Sequence, residues 1–136
     1  MSKDDRLNPF IGRWITQGQT ADGVPIVASD VYEWAPGGKF VMHPAYGRIG
    51  DQEAGGLEVI TPDTETGHYR THFFDSQGSL TNQRLSLRDR AWFWEGDRTR
   101  CRGVFSEDGR KLTAYHERPD DDGQWVPSMT VTLRKI

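Results

Sequence analysis

The feature that most constrains this chain is the spacing of its turn signals. Clusters of Gly, Asp and Pro recur at short, fairly even intervals: Ala21-Asp22-Gly23, Pro36-Gly37-Gly38, Gly50 to Gly56, Asp63 to Gly67, Asp75 to Gly78, Glu95-Gly96-Asp97, Glu107-Asp108-Gly109 and Asp120 to Gly123. Asp-Gly and Pro-Gly-Gly clusters are hairpin chemistry, because Gly supplies the positive φ such turns need. The segments between them are rich in aromatic and β-branched residues. They predict about ten strands: Arg13–Gln19, Ile26–Trp34, Phe40–Tyr46, Leu57–Pro62, His68–Phe74, Leu80–Leu87, Ala91–Glu95, Thr99–Phe105, Leu112–Glu117 and Trp125–Arg134. Parallel strands would need crossovers of about a dozen residues, usually helical. The only helical candidate is a short turn at Leu7–Ile11. The pattern is therefore an all-β antiparallel meander in one domain.

Ten such strands favour closure, because an open meander leaves unprotected edges. The expectation is an all-β, closed antiparallel up-and-down barrel spanning residues 1–136, with a flat sandwich as the alternative. A barrel of this size can hold one small ligand. Leu, Ile, Val and Phe number 27 of 136 residues, and mean hydropathy is −0.74, near the range where chains stay unfolded. The net charge of −3 and fifteen aromatics, five of them Trp, argue for order instead. Each buried aromatic removes roughly 150–250 Å² from water.

Strand alternation assigns faces. Trp125, Pro127, Met129, Val131 and Leu133 share one face of the last strand. Thr99, Cys101, Gly103 and Phe105 oppose the arginines at 100 and 102. Trp92 and Trp94 share a face, with Phe93 on the other.

Several function classes fall away. No apolar run approaches the roughly 18 residues of a membrane helix. Met1-Ser2-Lys3-Asp4-Asp5-Arg6 is charged with no apolar run behind it, so a cytoplasmic location is expected. Cys101 is the sole cysteine, which excludes an internal disulfide. A pI near 5.8 gives no electrostatic case for nucleic acid. There is no G-x-S-x-G elbow and no phosphate loop. Asp120-Asp121-Asp122-Gly123 lacks the downstream Glu of a calcium loop and reads as an acidic hairpin turn.

Gly12-Arg13-Trp14 resembles the G-x-W signature that opens the first strand of lipocalin-type (calycin) barrels. Further matching pieces follow in order: Gly18, Tyr32-Glu33-Trp34 with Pro36-Gly37-Gly38, Phe74-Asp75 with Gly78, and Asp122-Gly123-Gln124-Trp125. Together they resemble a family of small bacterial lipocalin-like proteins. The resemblance implies a barrel with a cavity, without implying a reaction. It also implies an Arg of the final strand, here Arg134, packed over Trp14. Arg134 shares parity with Thr130 and Thr132, so it would have to fold across the barrel end. The opening is also similar to the G-x-W-x-G-x-G of haem-binding nitrobindin-like barrels, which would make His116 the proximal ligand. Thr16 stands where that pattern has Gly, so no cofactor is expected, with haem as the alternative.

Four histidines carry the remaining chemistry. His68, Arg70, His72 and Phe74 form one row of a strand, opposite the more apolar Tyr69, Thr71 and Phe73, so simple patterning sends His68 and Arg70 outward. His72, beside two Phe, is a candidate for the cavity near the strand's end. His43 is expected as a hydrogen-bonded group at the barrel mouth. His116 shares parity with Leu112 and Ala114 and points inward, where a buried His needs a partner. No metal site is expected. The leading expectation is binding of a small, largely apolar molecule, lined by Tyr46, His72, Phe74, Trp92, Trp94, Cys101, His116 and Met129. The alternatives are a cyclase, isomerase or dehydratase with His43, His72 or His116 as acid or base, and a homodimerisation or partner-binding module.

Overall fold

The computed structural model describes residues 5–136, so the charged opening at residues 1–4 lies outside it. A 3₁₀ helix (Asp5–Phe10) leads into ten strands. They are β1 (Gly12–Thr20), β2 (Pro25–Trp34), β3 (Val41–Ile49), β4 (Gln52–Pro62), β5 (Tyr69–Asp75), β6 (Leu80–Arg88), β7 (Ala91–Glu95), β8 (Arg100–Phe105), β9 (Lys111–Pro119) and β10 (Trp125–Lys135). Each strand pairs antiparallel with its neighbours in sequence, and β1 pairs with β10 to close the barrel. The up-and-down barrel thus replaces the sandwich alternative. Among the described residues no helix is long and apolar enough to cross a membrane.

The hairpins are set by Asp side chains. Asp120 Oδ1 accepts the N–H groups of Asp122 and Gln124, each at 2.9 Å. Asp75 Oδ1 does the same for Gln77 and Ser79, at 2.9 and 3.0 Å. A short carboxylate that bonds the backbone two residues on substitutes for a turn hydrogen bond, which is why these clusters end strands. The Asp120 run is an acidic hairpin turn, as its sequence indicates.

One end of the barrel is solid. The 3₁₀ helix lies across it and buries Leu7 and Phe10. Phe10 meets Tyr32, Trp92, Trp94 and Phe105 at centroid distances of 5.0–5.9 Å. Its carbonyl accepts the Trp14 indole N–H at 2.9 Å. Arg6 fastens the helix to the rim through the Gly67 carbonyl at 3.1 Å and lies over the Tyr69 ring. Val41, Ile60, Tyr69, Leu85 and Trp92 complete this aromatic plug.

Three expectations are corrected. The cation over Trp14 is Lys135, with Nζ 4.9 Å from the ring, not Arg134. In the register Trp14 faces Lys135, while Arg134 faces the outward-pointing Ile15. Alternation therefore keeps Arg134 in solvent. Trp125 leaves the inner face because β10 bulges between Pro127 and Met129. One extra residue inverts the parity beyond it, and Trp125 instead stacks outside on Arg100, 4.3 Å from ring to guanidinium. Finally, the Gly50–Gly56 stretch is mostly strand. Only its start turns, and β4 begins at Gln52, five residues before the predicted Leu57.

Candidate functional site

The other half of the barrel is hollow. A cavity of about 630 Å³ extends from the middle of the barrel towards the end formed by the β3–β4 and β5–β6 hairpins. Its walls are largely apolar, with Ile26, Ala28, Phe73, Leu112, Met129 and Val131 on four strands. Arg48, Gln52, Glu53, Asp75 and Gln77 stand at the mouth. Pockets of several hundred Å³, mostly apolar with a few fixed polar groups, are the usual form of a small-molecule site.

The polar groups lie on the floor. His43 of β3 is nearly buried. Its Nε2 lies 2.7 Å from Asp30 Oδ2 of β2, and its Nδ1 lies 2.8 Å from Glu58 Oε1 of β4. Asp30 Oδ1 also accepts the Thr16 hydroxyl of β1, and Glu58 Oε2 accepts the Trp94 indole N–H of β7 at 3.1 Å. The Tyr32 ring stacks on the imidazole, with centroids 3.7 Å apart and planes 12° from parallel. Five strands thus converge on one imidazole.

Both ring nitrogens of His43 face carboxylate oxygens, and only a doubly protonated ring donates from both. Electrostatics agree. Burial alone pulls the His43 pKa down, but the hydrogen bonds and charges of Asp30 and Glu58 outweigh it and raise the pKa to about 9. The group is an imidazolium clamped between two carboxylates. It has no lone pair left to take a proton, so its position does not suit the general-base role considered for it. The carboxylates bind opposite sides of one ring rather than a common point. Among the described residues no group of three His, Cys, Asp or Glu is arranged to hold a metal ion.

Higher on the wall, Cys101 of β8 and His116 of β9 pair across the sheet, Sγ to Nε2 at 3.6 Å. Burial, the largest cause, lowers the His116 pKa to about 4 against a smaller upward pull from Glu58. Its imidazole is neutral. Burial, aided by the Glu58 charge, pushes the Cys101 thiol well up, so it stays protonated and is no nucleophile.

The sequence candidates divide. Trp94, Cys101, His116 and Met129 line the cavity. Trp92 faces inward but is packed in the plug at the solid end, away from the cavity. Tyr46 and Phe74 lie on the outer wall, 65% and 51% exposed. His72 shares their side of the sheet, with Nδ1 2.8 Å from Asn82 Oδ1. On β5 the buried residues are Tyr69 and Thr71, so parity sends His72 and Phe74 out. His43 sits deep rather than at the mouth. Asp30, Glu58, Tyr32 and Thr16 did not emerge from the sequence. Asp30 carries a signal, since it shares parity with Ile26, Ala28 and Tyr32. Glu58 carries almost none, because Leu57, Val59 and Ile60 make both faces of its strand apolar.

No family model matches the chain, and no curated protein sequence matches it. Solved structures do. The chain is similar to the S-type phycobiliprotein lyase CPES from Guillardia theta at a TM-score of 0.59 and 11% identity, over 100% of this chain and 93% of that one. It is similar to a fluorescence-activating β-barrel of de novo design at 0.55 and 14% identity, over 98% and 99%. The protein EF1p2_mFAP2b, solved bound to DFHBI, gives 0.52 and 14%, over 99% and 100%. At these identities the likeness concerns the fold.

Proposed function

We propose that this protein is a lipocalin-like barrel that binds a small, largely apolar molecule in its hollow half. The observation that carries this reading is the division of the interior. An aromatic plug fills one end, while about 630 Å³ stays open at the other behind apolar walls and a rigid polar floor. A chain selected only for stability would fill that space, because each unfilled methylene forfeits packing energy. Structural neighbours support the reading by analogy: one was solved with DFHBI bound, and another is named as a phycobiliprotein lyase.

Trp94 forms part of the cavity wall and reports on occupancy. A panel of apolar aromatic compounds should quench its fluorescence saturably, and Trp94→Phe should remove most of the response. Native mass spectrometry of the purified protein should show a retained mass in the range of a few hundred daltons. Failure of every compound to quench, together with a bare protein mass, would sink the reading. Turnover of the bound molecule is the second reading, favoured by the neutral His116 imidazole on the cavity wall. If it holds, His116→Ala abolishes consumption of the bound compound and leaves its binding intact.

A further inference from the structure

We infer that the bound molecule carries a cationic amine at its polar end, seated on the Asp30–His43–Glu58 floor, with its apolar body against the cavity walls. The inference rests on the cavity being a binding site and names the chemistry that site selects.

Charge counting leads to it. Each of the four carboxylate oxygens of Asp30 and Glu58 accepts one hydrogen bond from the protein, from Thr16, His43 twice and Trp94. In this arrangement both groups serve only as acceptors, as carboxylates do beside an imidazolium. Two carboxylates and one imidazolium leave one uncompensated negative charge. Among the described residues nothing nearby cancels it. The cavity wall carries one other cationic side chain, Arg48, which stands at the mouth and donates to the Asp51 carbonyl. His116 is neutral. Glu53 and Asp75 at the mouth add further negative charge. A net charge held out of water is costly unless it is paired, and the open side of this cluster is the cavity.

Acceptor capacity points the same way. A carboxylate oxygen takes about two hydrogen bonds, so the floor can accept more donors than the protein supplies. The Tyr32 phenol lies beside the same cluster. Tyr32 is 4% exposed and lines the cavity, yet among the described residues its hydroxyl has no hydrogen-bond partner. Among the described residues Thr71 Oγ1 is the one sealed polar side-chain atom without a partner, so the Tyr32 oxygen is open to the cavity, where a bound donor can reach it. An ammonium group offers three donors and no acceptor. Seated on the floor, it would satisfy the spare carboxylate lone pairs and the phenol oxygen together.

Matched probes test this on the full chain. Naphthylethylamine, naphthylethanol and naphthylacetate share one apolar body and differ in head-group charge. Isothermal titration calorimetry at neutral pH should give the amine about tenfold tighter binding than the alcohol, the scale of one charge-assisted hydrogen bond, and no measurable binding of the carboxylate. Tyr32→Phe preserves the stack on His43 and should weaken the amine several-fold while leaving the alcohol unchanged. Glu58→Gln, checked for folding by circular dichroism, should erase the preference for the amine. If the alcohol or the carboxylate binds as tightly as the amine, the head-group assignment is wrong and the cavity remains a binding site. If none of the three binds while another apolar compound quenches Trp94, the head-group assignment falls alone; if no compound quenches and the protein mass is bare, both readings fall.

Discussion

At the scale of single residues, two buried histidines respond to pH in opposite senses. His43 has its pKa raised to about 9, against 6.5 for a free imidazole. Its contribution to stability is complete below pH 6.5 and is lost as pH rises through 9 and the imidazolium gives up its proton. The gap corresponds to about 3 kcal/mol. His116 has its pKa lowered to about 4. The folded state resists charging it, so stability falls as pH drops from 6.5 towards 4, by a similar amount of about 3 kcal/mol. From these two groups, urea midpoints should peak near pH 6.5 and decline on both sides. His43→Gln should flatten the alkaline limb and lower stability at neutral pH by about 3 kcal/mol or more, because it leaves two buried carboxylates without their cation. His116→Gln should flatten the acid limb alone. An alkaline limb that persists in His43→Gln would mean that the clamp does not hold a proton.

At the scale of elements, β4 shows what turn chemistry hides. Gly55 and Gly56 look like parts of a loop but lie inside the strand, where β3 and β5 press close on either side. A Cβ on Gly55 would sit 1.9 Å from the Ala45 carbonyl oxygen, and one on Gly56 would sit 1.9 Å from that of Phe74. Gly55→Ala should therefore cost at least about 2 kcal/mol, since backbone must move as well as take up a strained φ. Gly109 also has positive φ, but its Cβ would meet nothing within 4 Å. Gly109→Ala should cost only about 1 kcal/mol, the backbone strain alone. Equal losses would show that φ rather than close approach governs both positions.

The same strand marks how far the sequence could be read. Turn clusters and alternation gave the ten strands, their closure and the inward row of Thr99, Cys101 and Gly103, because hairpin chemistry and side-chain period are local properties. The site depended on events with no local signature. The bulge in β10 turned Trp125 outward, and register placed Lys135 rather than Arg134 over Trp14. The floor assembles residues from five strands, so Asp30 and Glu58 acquire their roles only once β2, β3 and β4 lie side by side. His43 was legible as a chemically capable residue; its partners were not.

At the scale of the whole molecule, the barrel is two materials in one wall: a packed aromatic plug under the 3₁₀ helix and a hollow half above it. Adding a large side chain should therefore have opposite consequences at the two ends. Val41 is fully buried in the plug. Val41→Phe has no space to enter and should destabilise the protein by about 1–3 kcal/mol, as overpacking of dense cores does. Ala114 is also buried, but it lines the cavity. Ala114→Phe places a ring in open volume and gains contacts that the cavity wall lacks, so its melting temperature should stay level or rise. The same ring occupies the space proposed for the ligand, and the probe that stabilises the parent protein should no longer do so. A ligand at a hundred times its Kd adds about 2.7 kcal/mol to a protein that binds it only when folded, so the loss of that shift is easily read in a thermal melt. If Ala114→Phe melts as low as Val41→Phe, the upper half is packed as densely as the plug, and the cavity is not the open volume that the binding reading requires.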